Sequence, residues 1–494
     1  MPSTSPTPPG PTGPPGPPVS HDLTDLPLTV PASAGASLSL SMAYLAGLSV
    51  AWPLLVHRLY IKKKPIVGGR EKRGFLPDSL KRPPPPSVAV TTAGPNAPFG
   101  LGTPAGPGAG KRLWIHAVSL GEVNAAKPLI ARLRAAGCEV LLSTTTATGR
   151  AAAEKTVGPE HCFFYPYDLA WMVQRAFEHL RPDLVILMEL EVWPNFMREA
   201  CHRDVPVVVV NGRLTERSLR RYRKVAGLFG AALRRCTAVL AQDDTFAARF
   251  AQLGVTRERL RVSGSMKYDA VDTGLASTPL DQVRRDMRQA LRIDPAAPVW
   301  VAGSLHPGEE PAAAAAWRAA RAAGRALVPV VVPRHPERFD AMAQAFTQEG
   351  FQVHRKTALD AGAEPNLLLR GESADLVLGD TMGELKNIYA AADLALVGGS
   401  FIPHGGQNPA EPLGLGVPCL CGPSMFNFEE IAQVLSTARA LTQVADGAAL
   451  GAALVEHLTT GDLPERGARG RAALIAKQGA TERTATYLLR LLAR

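Results

Sequence analysis

Two glutamates stand where a carboxylate can do chemistry. Glu122 follows the apolar run 113–118 and opens a helical pattern, Ser119-Leu120-Gly121-Glu122. That places its carboxylate at the carboxyl end of a strand and on the first turn of a helix. The positive end of the helix dipole favours the ionised form there, and an ionised carboxylate can take a proton from an attacking alcohol. The same four residues have capping-box spacing, with Ser119 as N-cap and Glu122 as N3, so a purely structural role is open as well. Glu411 stands between Pro409 and Pro412, placed to accept hydrogen bonds from sugar hydroxyls. Near it, Gly398-Gly399 and Gly405-Gly406 let the backbone approach a ligand with no Cβ in the way. Gly406-Gln407-Asn408 precedes a helical segment whose N–H groups can hold phosphate. Arg334, His335 and Lys267 can offset phosphate charge. Together these describe a nucleotide pocket and, far from it in sequence, a candidate base.

Other charged residues carry weaker signals. Glu189 and Glu191 follow the apolar run 184–188 and can steady a cation or hydroxyl, or simply be solvated. Arg213 and Arg217, four apart in the basic run 211–224, would share a helix face and could grip phosphates; a solvated surface helix explains the run equally well. Thr381 and Glu384 repeat the capping-box spacing. No cluster of His and Cys has metal-ligand spacing, so no catalytic metal is expected. There is no GxSxG elbow and no P-loop.

The elements that must position these residues alternate along the chain. Short apolar runs at 113–118, 139–142, 184–188, 207–210, 238–240 and near 262 each lead through a polar turn into a helical pattern. A polar helical segment at 279–291 interrupts the series. The pattern restarts at 299–302, 327–332, 376–378, 394–397 and 417–420. Continuous apolar strands alternating with helices predict parallel sheets covered on both faces. The expected architecture is α/β, two successive doubly wound Rossmann-like domains facing across a cleft. The boundaries drawn are 111–270 for the first domain, 271–295 for a linker, 296–475 for the second domain and 476–494 for a terminal helix packing back on the first.

Before these domains the chain is of another kind. Of 494 residues 43 are proline, and 22 of these lie in the first 110. Residues 1–37 read as a disordered head. Residues 38–56 are apolar and close to the length of a membrane-spanning helix, although a helix lying at the membrane surface is an alternative. A basic flank from His57 onward would stay cytoplasmic. It continues into a Pro/Gly-rich tether ending near 110. The net charge of +10 suits anionic partners. Aromatics are only 6% and no nucleic-acid motif occurs, so nucleic acid is the weakest of those partners. The six cysteines lack CxxC spacing and read as buried thiols in a reducing cytosol.

Several strings carry a family likeness. VSLGE at 118–122, STTTATGR at 143–150, ELEVWPN at 189–195 and NGRLTERS at 211–218 occur in the first half. AGSLHPGEE at 302–310, VPRHPERF at 332–339, GDTMGEL at 379–385 and VGGSFIPHGGQNPAEP at 397–412 occur in the second. In this set the chain resembles the 3-deoxy-D-manno-octulosonic acid (Kdo) transferases of lipopolysaccharide synthesis. The resemblance implies a GT-B glycosyltransferase that moves Kdo from CMP-Kdo to a lipid A precursor at the cytoplasmic face of the inner membrane, without a cofactor or divalent metal. It implies Glu122 as general base, with Ser119, Gly121, Thr146, Glu189, Glu191, Arg213 and Arg217 on the acceptor side. On the donor side it implies Lys267, Ser304, His306, Arg334 and His335 near phosphate, Gly379, Thr381, Met382 and Gly383 bordering cytosine, and Gly405, Gly406, Asn408 and Glu411 around phosphate and ribose. The chain departs from the family pattern at Leu305, at Gln407 and in its long proline-rich head. The alternatives are another GT-B sugar-nucleotide enzyme, such as an epimerase, or a non-catalytic nucleotide-binding membrane scaffold.

Overall fold

The computed structural model describes residues 19–31, 68–82, 108–269, 279–364 and 366–494. The apolar segment 38–56 lies outside them. Among the described residues no helix is long and apolar enough to cross a membrane. The chain divides into two compact units, the first reaching Ala270 and taking back Gly479–Arg494, the second spanning Val271–Gln478.

The first unit is built on a seven-stranded sheet of order β3-β2-β1-β4-β5-β6-β7. Its strands are β1 Arg112–His116, β2 Glu139–Thr144, β3 Cys162–Phe164, β4 Leu184–Met188, β5 Val207–Gly212, β6 Ala238–Ala241 and β7 Leu260–Val262. Every pairing is parallel. Because side chains alternate across a strand, β1 feeds two cores. Leu113 and Ile115 join the apolar cluster that includes the helices Leu120–Ala135 and Ala480–Leu492. Trp114 points the other way, into an aromatic cluster with Phe163, Tyr165, Phe177 and Phe196 at 4.9–5.9 Å between ring centroids. Burial on both faces is why these strands are continuous apolar runs.

The second unit repeats the plan, with order β10-β11-β9-β8-β12-β13-β14. Here β8 is Val299–Leu305, β9 Val328–Pro333, β10 Gln352–Arg355, β11 Asp375–Leu378, β12 Leu394–Val397, β13 Cys419–Cys421 and β14 Leu441–Gln443. All pairings are again parallel. Each sheet has a switch point from which successive strands are laid down in opposite directions, between β1 and β4 in the first and between β8 and β12 in the second, where β11 is also inserted between β9 and β10. In open parallel sheets that switch point leaves a crevice at the carboxyl ends of the strands.

Three stretches differ from the expectation. Residues 19–31 do not behave as part of a disordered head: Leu23 and Leu26 are buried in the first unit's core. Ser20 accepts the Val262 N–H at 3.1 Å and Pro27 O accepts from the Tyr487 hydroxyl at 2.9 Å. Residues 68–82, assigned to flank and tether, are fastened to the same unit. Leu76 and Leu80 are buried, Glu71 pairs with Arg150 at 3.0 Å, and Arg112 donates to Leu80 O at 2.8 Å. In each case a pair of leucines inside a proline-rich surround supplies the burial that composition alone hides. The helix Leu280–Ala290, placed in a linker, is part of the second unit, where Arg288 donates to Ala391 O at 3.0 Å and pairs with Asp393 at 2.8 Å. All six cysteines are buried and none is joined in a disulfide.

Candidate functional site

Glu122 sits at the switch point of the first sheet. Ser119 caps the helix Leu120–Ala135, its Oγ accepting from the Glu122 N–H. The Glu122 carboxylate answers by accepting the Ser119 hydroxyl at 3.0 Å and the Val118 N–H at 2.9 Å. The capping box is therefore real, but its return bond reaches one residue further back, to Val118. That leaves the carboxylate folded over the end of β1. Across the switch point, β4 runs into Glu189, whose backbone is left-handed (φ 57°), and Glu191. Burial chiefly raises the Glu122 carboxyl to about 7, and the negative charges of Glu189 and Glu191 push in the same direction; the Val118 and Ser119 hydrogen bonds hold it back. Burial likewise raises Glu191. Capping and proton acceptance are thus compatible in one side chain, because each uses the ionised form and a pKa near neutrality suits a general base.

The neighbours expected around Glu122 fall into two groups. Thr146 caps the helix Ala147–Val157, accepting from the Gly149 N–H at 3.1 Å, and its hydroxyl donates to Val118 O at 3.2 Å. Ser119 is therefore bonded to Glu122 directly, and Thr146 is tied to it through Val118. Gly121 is exposed, and a Cβ built there meets nothing nearer than Ser119 Oγ at 3.9 Å. The fold does not require glycine at 121; its absence of a side chain keeps the space beside Glu122 open. Arg213 and Arg217 are exposed, but they do not share a helix face. Thr215 is the N-cap of the helix Glu216–Arg223, so Arg213 lies in the loop before it. Asp168, which the sequence did not point to, anchors the ELEVWPN stretch: its carboxylate accepts the Asn195 N–H at 3.0 Å and the Phe196 N–H at 2.8 Å. Lys267 lies in the first unit, in the turn after β7, half-buried.

In the second unit the remaining candidates lie at the end of β8 and in the segments that follow β8, β9, β11 and β12. Ser304 is buried with a left-handed backbone (φ 55°). His306 is buried, 4.2 Å from the His404 ring and 5.8 Å from the His335 ring between centroids. Burial first, then the charges of His404, His335 and Arg334, lower the His306 imidazole to about 4. It is neutral at pH 7 and its Nε2 lies 3.1 Å from Gln407 Nε2, which donates to it. Gln407, a departure from the family pattern, thus has a partner inside the protein. Arg334 and His335 are exposed at the end of β9. After β11, Thr381 Oγ1 is buried with no hydrogen-bond partner among the described residues, and Met382 is 66% exposed. Glu384 is not the N3 of a box begun by Thr381. It is itself the N-cap residue of the helix Leu385–Ala391 and pairs with buried Lys356 at 3.1 Å.

The glycine pairs serve the protein's own packing first. A Cβ on Gly398 would lie 2.2 Å from Ser304 O, and one on Gly406 would lie 2.3 Å from Met425 Sδ. The Gly405 N–H donates to Ser424 Oγ at 3.1 Å, that of Gly406 to Gly399 O at 2.8 Å and that of Gln407 to Gly398 O at 3.0 Å. These three N–H groups are spent inside the fold. Asn408 Oδ1 accepts the Ala410 N–H at 3.1 Å. Glu411 opens to solvent, yet the surrounding protein displaces enough water to raise its carboxyl; a hydrogen bond from Asn408 and the charge of Arg334 oppose the rise. Among the described residues no group of three His, Cys, Asp or Glu side chains is arranged to hold a metal ion.

The Glu122 carboxylate at the switch point of one Rossmann-like unit and the cationic, glycine-bounded loops of the other suit the class of glycosyltransferases fed by an activated sugar, and known proteins narrow that class. Residues 83–270 match a family described as 3-deoxy-D-manno-octulosonic-acid transferase (kdotransferase). The 3-deoxy-D-manno-octulosonic acid transferase of Haemophilus influenzae is 34% identical over 75% of this chain and 85% of its own length. That of Bordetella pertussis is 37% identical over 79% of this chain and 88% of its own. The crystal structure of the C-terminal CMP-Kdo binding domain of WaaA from Acinetobacter baumannii is similar to 40% of this chain over 97% of its own, at 28% identity and a TM-score of 0.34. The chain belongs to the 3-deoxy-D-manno-octulosonic acid transferase family.

Proposed function

We propose that this Kdo transferase is a GT-B enzyme that moves Kdo from CMP-Kdo to a lipid A precursor, with Glu122 as the base. The first unit is its acceptor-binding half, joined by the terminal helix, and the second its CMP-Kdo-binding half. Glu122 removes the proton from a primary hydroxyl of the acceptor's distal glucosamine as that oxygen bonds to the anomeric carbon of Kdo. The bond from that carbon to the phosphate oxygen breaks on the opposite face, CMP leaves, and the anomeric configuration inverts. The observation that carries the reading is the Glu122 carboxylate, held by Val118 and Ser119 with a pKa of about 7 at the first switch point.

On the donor side Arg334 and His335, with Asn408 and Lys267, offset the charge of the departing phosphate. Ser304 and His306 border it. Glu411 takes the ribose hydroxyls, and the segment from Gly379 to Gly383 borders cytosine, where the Thr381 hydroxyl, without a partner among the described residues, and exposed Met382 suit a base edge and a ring face. On the acceptor side Gly121, Thr146, Glu189, Glu191, Arg213 and Arg217 receive the phosphorylated disaccharide. The apolar segment 38–56 anchors the enzyme in the inner membrane with both units on the cytoplasmic side. Mass spectrometry of the product from purified lipid A precursor and CMP-Kdo tests the proposal. It expects the acceptor mass plus one or more Kdo residues with release of CMP; free sugar or an epimerised nucleotide would defeat it.

A further inference from the structure

Glu309 is the least solvated carboxylate at either switch point, 1% exposed. It accepts four backbone N–H groups. Oε2 takes those of His306 at 3.0 Å and Gly399 at 2.6 Å; Oε1 takes those of Ser400 at 3.0 Å and Phe401 at 2.9 Å. It forms no ion pair among the described residues. Four charge-assisted bonds replace its hydration, yet burying a carboxylate remains costly relative to an apolar side chain of similar volume. Three successive N–H groups converging on one point form the concavity that ordinarily receives an anionic ligand. Here the protein fills it with its own anion.

The place matters as much as the bonding. Glu309 stands in the turn after β8 and binds the loop after β12, so it ties together the two lips of the switch point. Gly399, one of its donors, has a left-handed backbone (φ 69°), and a Cβ there would lie 3.3 Å from both His306 and His404 and 3.5 Å from Gln407 Nε2. The three side chains at the centre of the donor loops are therefore packed on the peptide that Glu309 holds. Ser400 carries the link onward: its Oγ donates to Val397 O at 2.6 Å and accepts the Gly422 N–H at 2.8 Å.

We propose that Glu309 is the positioning residue of the donor site. By occupying the nest after β12, it fixes His306, His404 and Gln407 about Gly399 and leaves side chains, not the loop's N–H groups, to meet the donor phosphate. The inference rests on the CMP-Kdo reading for the identity of the donor. Its test measures Glu309→Gln in the full chain for the KM of each substrate and for inhibition by CMP. An amide replaces one accepting oxygen by a donor facing N–H groups, so the loop shifts. The KM for CMP-Kdo and the inhibition constant for CMP should rise at least tenfold, with the acceptor KM within twofold of wild type. A merely structural role would lower the active fraction and leave both KM values unchanged, which overturns the proposal. Should the variant not fold, hydrogen exchange in the wild-type chain decides. Amides 399–401 should exchange slowly without ligand and be slowed no further by CMP; fast exchange that CMP suppresses would overturn the proposal. A wild-type chain that neither binds CMP nor turns over CMP-Kdo would fail the underlying reading instead, and that is visible before any variant is made.

Discussion

Replacing Glu122 by glutamine should stabilise the protein at alkaline pH while destroying its activity. In the folded state burial raises the carboxyl from 4.5 to about 7, whereas the unfolded chain ionises near the ordinary value. Between those two pH values the folded protein holds a proton that the unfolded chain releases, so this group's effect on stability worsens as pH rises through the window. About 2.5 pKa units at 1.36 kcal/mol each set a ceiling of roughly 3 kcal/mol above pH 7. The favourable helix N-terminus returns about 0.3–1 kcal/mol, leaving about 2 kcal/mol. Glutamine keeps an acceptor for the Val118 N–H and a donor for Ser119 Oγ, so little packing is lost. Calorimetry should show the variant melting about 5 °C higher than wild type at pH 8, taking roughly 2–4 °C per kcal/mol for a unit of this size. At pH 5, near the start of the window, the gain should shrink to under about 1 kcal/mol. Equal melting temperatures at pH 8, or a gain that does not fall with pH, would refute the claim that the fold desolvates this carboxylate.

Gly121→Ala should be tolerated by the fold, since its Cβ meets open space and alanine favours a helix by about 0.8–1 kcal/mol over glycine; if Gly121 faces the acceptor, melting temperature holds or rises while the acceptor KM rises. Arg334→Ala should weaken CMP binding by about 10–100-fold, the value of one charge-assisted contact of about 1.5–3 kcal/mol, as read by calorimetric titration; unchanged affinity would remove Arg334 from the phosphate. Leu80→Ala should destabilise the first unit by about 2–3 kcal/mol, because Leu80 is 2% exposed in its core; a negligible change in melting would mean that residues 68–82 are not fastened to it.

What could be read from the sequence followed burial. Strands covered on both faces, such as β4 and β9, are unbroken apolar runs, and their alternation with helices declared two parallel sheets. The three strands that went unseen, β3, β10 and β14, are all sheet edges of three or four residues; β7, an edge as short, is legible only as a position near 262. Residues acting within one turn of chain were legible: Ser119 and Glu122 declared their cap, and the three-residue spacing is what makes it visible. Residues that act across the fold were not. Glu309 binds a loop about ninety positions away and Asp168 holds a helix beginning at Pro194; neither distance leaves a local pattern. The i, i+4 reading of Arg213 and Arg217 failed for the opposite reason. Thr215 starts the helix between them, and helical spacing has no meaning across a cap.

The account turns on Glu122, and single-turnover transfer of Kdo from CMP-Kdo to lipid A precursor tests it most directly. In wild type the rate should rise with pH through about 7, as the carboxylate ionises. Glu122→Gln should bind CMP as wild type does and lose about 10²–10⁴-fold in rate, the usual worth of a positioned base, with the pH dependence gone. A variant that transfers Kdo at the wild-type rate, or keeps the same pH profile, would show that another group takes the proton.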